Sequence, residues 1–225
     1  MIFAPFIFIY ALILFLTLAI VVLLFEINLI HYVFEALGLP PELAFFFLLA
    51  SLAGSYLNIP VTRVRLGELH TEVIVRSFGV RYRVPVRLAG DSTVIAVNVG
   101  GAVVPVLISL YVLGRWPGVI FPALVGVAIV TLVVNRFARP VPGMGIATPM
   151  LIPPIVAALA GYFLGGPQHH ADAVAYVSGV MGTLIGADLM NIRKIGSLGA
   201  PVASIGGAGT FDGIFLTGIV AVLLA

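Results

Sequence analysis

The stretch DAVAYVSGVMGTLIGADLMNI, residues 172–192, has the length and apolar character of a membrane helix, yet it carries Asp188 near one end. A second aspartate follows in GGAGTFDG, residues 206–213, where Asp212 opens another apolar run that continues to Ala225. An ionisable group in hydrocarbon costs at least a few kcal/mol, so such residues read as functional, each with a partner close by. These two acids decide how the chain is read.

Composition points the same way. Hydrophobic residues make up 61% of the chain and charged residues only 9%, and mean hydropathy is +1.22, far outside the range of soluble globular domains. The expected class is an all-α polytopic membrane protein forming a single transmembrane domain over residues 1–225, with the lipid bilayer as its main partner. The formal charge of +2 comes from basic residues scattered among loops, which report topology and give no nucleic-acid footprint. The absence of cysteine removes disulfides, thiolate metal sites and cysteine catalysis.

About 20 apolar residues cross a bilayer. On that rule spans are expected near residues 2–25, 43–58, 93–113, 119–134, 144–164 and 172–192. A seventh begins near Gly206, because the thirteen residues after Asp212 are too few to cross unless the segment is re-entrant. Residues 2–25 lack a basic n-region and a small-residue cleavage site, so they are expected as a retained span.

Basic residues segregate along this pattern. Arg63, Arg65, Arg76, Arg81, Arg83, Arg87, Arg136, Arg139, Arg193 and Lys194 fall on one side, and Arg115 alone on the other, where Glu26, Glu35 and Glu42 occupy the first loop. The positive-inside rule then places the N-terminus in the cytoplasm and the C-terminus outside the cell membrane. Within residues 61–91, Val80, Tyr82, Val84 and Val86 alternate with Arg81, Arg83 and Arg87. That period of two predicts a cytoplasmic β-hairpin insert of two or three strands, with a turn at Gly79 and arginines suited to anionic headgroups.

The costly polar groups converge at one depth. Asn98 with Gly100, Gly101 and Pro105 opens the third span. The run Pro142-Gly143-Met144-Gly145-Ile146-Ala147-Thr148-Pro149, followed by Pro153 and Pro154, breaks the start of the fifth. Asp188 and Asn191 end the sixth and Asp212 starts the seventh. Asn98, Thr148, Asn191, Asp188 and Asp212 are therefore the expected substrate- or ion-binding residues, and Asp188 and Asp212 the candidate catalytic dyad. Ser178, Gly182 and Gly186, four residues apart, form a small-residue packing stripe, with Asp188 on nearly the opposite face of a regular helix. Two close carboxylates in low dielectric titrate as a unit. Such a pair suits proton- or cation-coupled transport through broken helices, hydrolysis by a general acid and base, or purely structural capping, with Asp212 as an N-cap.

No cofactor or metal is expected. The glycine run at residues 206–209 has neither the strand nor the lysine of a nucleotide loop, and His169, His170 and Asp172 make too small a ligand set for zinc. Trp116 and Tyr111 read as an interfacial aromatic anchor.

Asn98-Val99-Gly100-Gly101, Pro142-Gly143-Met144-Gly145 with Ile152-Pro153-Pro154, Gly186-Ala187-Asp188 and Gly206 to Gly213 together resemble an uncharacterised family of polytopic archaeal and bacterial membrane proteins. That resemblance spans most of the chain and implies a fold without an activity. A weaker resemblance is to intramembrane aspartyl proteases of the presenilin and signal-peptide-peptidase type, which carry one Asp on the sixth span and a second, in Gly-x-Gly-Asp, at the start of the seventh. Here Ala187 stands where that family has Tyr, Thr210-Phe211 separate Gly209 from Asp212, and Pro122-Ala123-Leu124 lies upstream instead of downstream. The resemblance implies only a dyad role for Asp188 and Asp212.

Overall fold

The structure, a computed structural model, describes residues 4–65, 71–77, 80–86, 92–141, 145–166, 170–195, 202–207 and 213–225. At its centre stands α6 (Ala171–Thr183), whose residues 173 to 180 are all buried. A helix buried on every face must be touched on every face, and here small residues allow it. Toward α4 (Ile120–Phe137), a Cβ added to Gly126 would collide with the Ser178 side chain, and one on Gly182 would lie 2.5 Å from Val130 Cβ. One on Gly186 would lie 2.6 Å from the Thr131 carbonyl oxygen. These pairs rise together along both helices, so α4 and α6 run parallel. The expected stripe of Ser178, Gly182 and Gly186 is thus the contact with α4. Among lipid tails, helices associate through such close packing and not through hydrophobic burial.

The other neighbours run the opposite way. Gly161 of α5 (Ile152–Leu164) packs on Ala175, while Ala157 meets Gly179. In α8 (Gly213–Leu224), Thr217 meets Gly179 and Gly218 meets Tyr176 and Val180. The pairing of the sixth and last apolar segments therefore stands. Helix α3 (Val104–Arg115) closes a further side, with Ile108 and Val112 fully buried.

Only two helical runs among the described residues, Pro117–Phe137 and Ala171–Asn191, are long and apolar enough to cross a membrane. The other expected spans take different forms. Helix α1 (Ala4–Ala36) continues for 33 residues, through Glu26 and Glu35, which were expected in a loop. Its end is locked into the core by Val33, Phe34 and Leu37. After a turn at Gly38 (φ +73°) comes α2 (Pro41–Gly54), bent by 120° from Ile27–Ala36. Helices α5 and α8 have 13 and 12 residues, about 20 and 18 Å at 1.5 Å per residue, well short of a roughly 30 Å hydrocarbon core.

The expected third span is half strand. Residues Ser92–Asn98 form β4, antiparallel to β1 (Asn58–Arg65) with Asn58 opposite Asn98, and parallel to β7 (Val202–Ile205) with Val94 opposite Val202. An apolar, β-branched run such as Val94, Ile95 and Val97 has no periodicity that separates a buried strand from a helix; pairing on both edges decided it. Within the expected insert, β2 (Thr71–Ser77) and β3 (Val80–Val86) form the antiparallel hairpin, Ser77 opposite Val80. Arg87 and Gly79 lie outside the described residues. The chain is thus mostly helical with small sheets. A final short ribbon, β5 (Arg139–Val141) with β6 (Gly145–Ala147), leads into α5.

Gly182→Ala tests the packing. The substitution gains up to about 1 kcal/mol of helix propensity, but overpacking against Val130 costs about 1–3 kcal/mol, so the variant should melt below the parent in detergent. Gly114→Ala, with nothing within 4 Å of the added carbon, should melt at or above it.

Candidate functional site

The central helix does not end cleanly. Past Thr183 it loosens into a π-helical turn, Leu184–Asp188, tightens into a 3-10 turn, Leu189–Asn191, and resumes as α7 (Ile192–Ile195). Such changes of winding leave backbone carbonyls without their regular partners. Two asparagines supply them. Asn191 Nδ2 donates to the carbonyls of Gly186 (3.1 Å) and Ala187 (2.9 Å), and Asn135 Nδ2, from α4, donates to Gly186 (3.1 Å). Lys194 Nζ donates to Asn191 Oδ1 at 2.9 Å. Asn191 is buried, and the bonds it makes serve the helix break.

The loosened turn also re-aims Asp188. In a regular helix five residues turn about 500°, which would leave Asp188 about 140° away from Thr183. A π turn closes i to i+5, and the two residues come to one wall. They share a cavity of about 350 Å³ with Thr148 and Pro153 ahead of and within α5, Ser204 of β7, and Gly213 and Thr217 of α8. The Asp188 carboxylate accepts the Gly206 N–H at 2.8 Å, a charge-assisted bond that fixes one of its oxygens. Gly206 has φ +85° and Gly207 φ +88°. A Cβ on Gly206 would lie 2.6 Å from Ala102 Cβ, so glycine is required there by both conformation and space.

Hydroxyls complete the polar wall. Thr217 Oγ1 donates to the Gly213 carbonyl and Ser204 Oγ to Asn58 Oδ1. Thr183 is 4% exposed, and its Oγ1 has no hydrogen-bond partner among the described residues. Sequence reasoning missed Thr183, Ser204 and Thr217. Isolated hydroxyls in apolar runs are common, and only the tertiary structure places Thr183 on the same cavity as Asp188.

Of the expected site residues, Asp188 and Thr148 line the cavity. Asn98 sits elsewhere, at the junction where β4 becomes the π-helical turn Val99–Val103 ahead of α3. Its Oδ1 accepts the Gly101 N–H (2.7 Å), and its Nδ2 donates to the Ser55 carbonyl (2.7 Å) and to Asn58 Oδ1 (3.1 Å). Both amide protons are engaged in tying α2 and β1 to the start of α3. Asn98 reaches the cavity only through Asn58 and Ser204. Asp212 lies outside the described residues, although its neighbour Gly213 lines the cavity. His169 and residues 142–144 also lie outside them.

Two substitutions separate scaffold from site. Asn98→Ala removes a helix cap and strands the buried Gly101 N–H and Ser55 carbonyl, at a cost of about 1–3 kcal/mol, read as a lower melting temperature. Asp188→Asn keeps an oxygen for the Gly206 N–H and should fold with its melting profile largely intact.

The chain belongs to a family described as a protein of unknown function (DUF1614), whose model matches residues 52–224, including every described residue of the cavity. Comparison with curated proteins and with solved structures returns no match.

Proposed function

We propose that this member of the DUF1614 family is a multi-pass protein of the cell membrane whose Asp188 cavity serves proton- or cation-coupled transport. One observation carries the reading. Helices α3 and α5 both rise from the end where α6 breaks, and both start on irregular backbone: β4 with the π turn, and residues 145–151. Irregular backbone is tolerated at membrane depth only where it is buried in protein or lines a cavity. Transporters build their ion and substrate sites from such discontinuous helices. An acid beside the break is the coupling group that chemistry needs.

Membrane placement is supported by large apolar side chains bare on the outer faces, among them Phe121, Leu132 and Phe163, far more than a soluble monomer exposes. Alternation of direction is supported for four helices, α4 and α6 running one way and α5 and α8 the other. At the end away from the break, Trp116 stacks on His170 (4.4 Å) beneath the Arg115 guanidinium (4.6 Å), and Tyr111 donates to the Gly38 carbonyl. This suits an outer aromatic anchor. The basic insert at residues 61–91 would then lie in the cytoplasm, against anionic lipid. A second reading, an aspartyl hydrolase with Asp212 as partner to Asp188, draws on Gly213, which follows Asp212 in sequence and lines the cavity.

In proteoliposomes with an imposed pH gradient and an internal pH dye, the transport reading expects a flux that Asp188→Asn abolishes, with no cleavage of a membrane-embedded peptide. Cleavage lost in both Asp188→Asn and Asp212→Asn would favour the hydrolase instead. Absence of flux and cleavage alike would leave a structural role. For topology, a reporter fused after Arg76 should be cytoplasmic and one at the C-terminus external, and the reverse at either point would overturn the orientation.

A further inference from the structure

We infer that the cavity below the break of α6 opens sideways into the bilayer and takes an uncharged single-chain lipid with a hydroxyl head, such as a monoacylglycerol. The inference rests on the membrane and transport reading of the same cavity and names the class of molecule that reaches it.

The route in is apolar. Met150 and Leu151, ahead of α5, line the cavity and are 76% and 63% exposed, and Val202 of β7 is likewise both lining and exposed. A residue that is at once cavity wall and outer surface stands at the mouth. Large apolar side chains bare at one place mark a membrane or ligand face. From that mouth two apolar tracks lead away along the helices. On α5, Leu151 is followed at four-residue spacing by Ile155, Leu159 and Phe163, all exposed. On α8, Leu216 and Val220 line the cavity from partly exposed positions, and the exposed Leu224 continues the same face. Both helices run the same way from the cavity end. The wall climbs α8 from Gly213 to Val220, about 10 Å at 1.5 Å per residue, and an apolar chain fits along it.

The polar groups lie at the other end of these tracks. Thr148, Asp188 and Ser204 line the cavity, and none of the three is fully buried. The Ser204 hydroxyl proton is engaged by Asn58 Oδ1, which leaves its lone pairs for a ligand, so a head that donates is matched. No Lys, Arg or His is among the described residues that line the cavity, and a phosphate head would find no basic side chain there to receive it. A hydroxyl head meets both conditions. The volume of about 350 Å³ holds roughly ten water-sized groups at ~30 Å³ each, room for a glycerol-sized head and the first carbons of one chain. A polar end with an apolar track leaving it has the pattern of an amphiphile, whereas a small ligand from water has no use for the track.

The test uses the full-length protein in phosphatidylcholine proteoliposomes with a monoacylglycerol that carries a diazirine in its chain. After irradiation the labelled residues should include Leu151, Ile155, Leu216 and Val220. Excess unlabelled monoacylglycerol should remove that labelling, while glycerol and phosphatidic acid should not. Leu216→Trp fills the cavity from a partly exposed position and should cut the competed labelling about tenfold; Leu132→Trp, on the outer face of α4, should leave it intact. Thr148→Val removes a hydroxyl at nearly constant volume and should weaken competition about threefold to tenfold.

Labelling that spreads over the outer faces and is not competed would mean annular lipid only and would overturn the inference. Competition by glycerol or by phosphatidic acid, or undiminished competition in both Leu216→Trp and Thr148→Val, would do the same. The two readings fail separately. A pH-driven flux that depends on Asp188, without competed labelling, would leave transport standing and remove the lipid. Competed labelling without proton flux, whether monoacylglycerol is present or not, would keep the lipid site and remove transport.

Discussion

Close approach to the central helix is the constraint on which the other features depend. Four helices reach α6, and three of them, α4, α5 and α8, do so where Gly126, Gly161, Gly179, Gly182 and Gly218 leave no side chain in the way. In an apolar surrounding this contact is the main cohesive term, since lipid competes equally for any exposed leucine. Many bulky residues face outward, while Tyr176, Phe34, Phe215 and Ile108 are fully buried, Tyr176 against the flat surface of Gly218.

A helix packed so tightly has little freedom, and that is why its break has consequences. Where α6 loosens at Leu184–Asp188, the carbonyls released are taken up by Asn135 and Asn191. The defect is thereby held in one geometry. Past the same change of winding, Asp188 lies within reach of the Gly206 amide and lines one cavity with Thr183. Gly206 in turn lies against Ala102 at the start of α3, close to the junction capped by Asn98. The carboxylate is thus placed by the break in α6 and by the Gly206 N–H that it accepts.

The short helices and the cavity belong to one design. Because α5 and α8 start part-way along α6, the depth they leave unfilled is occupied by β7, the glycine turn and the residues before Pro153. Those segments expose peptide groups and hydroxyls that a continuous helix would have hidden. Polar lining and interrupted secondary structure are therefore the same feature seen at two scales.

Much of this was legible in the sequence: a mostly helical, strongly apolar chain, a hairpin within residues 61–91, the packing stripe of Ser178, Gly182 and Gly186, and Asp188 as a residue to explain. Each depends on composition or on a short period, which local chemistry dictates. Other features were not local. Residues 92–98 read as apolar span and became strand because β1 and β7 flank them, and pairing partners far apart in sequence have no trace in the run itself. Asn98 and Asn191 read as ligands because a polar group in an apolar segment needs a partner; only the tertiary structure revealed that the partner was backbone. Sequence determined which groups had to be satisfied, since desolvation follows from residue type alone, whereas tertiary structure decided what satisfies them, since that depends on which segments meet.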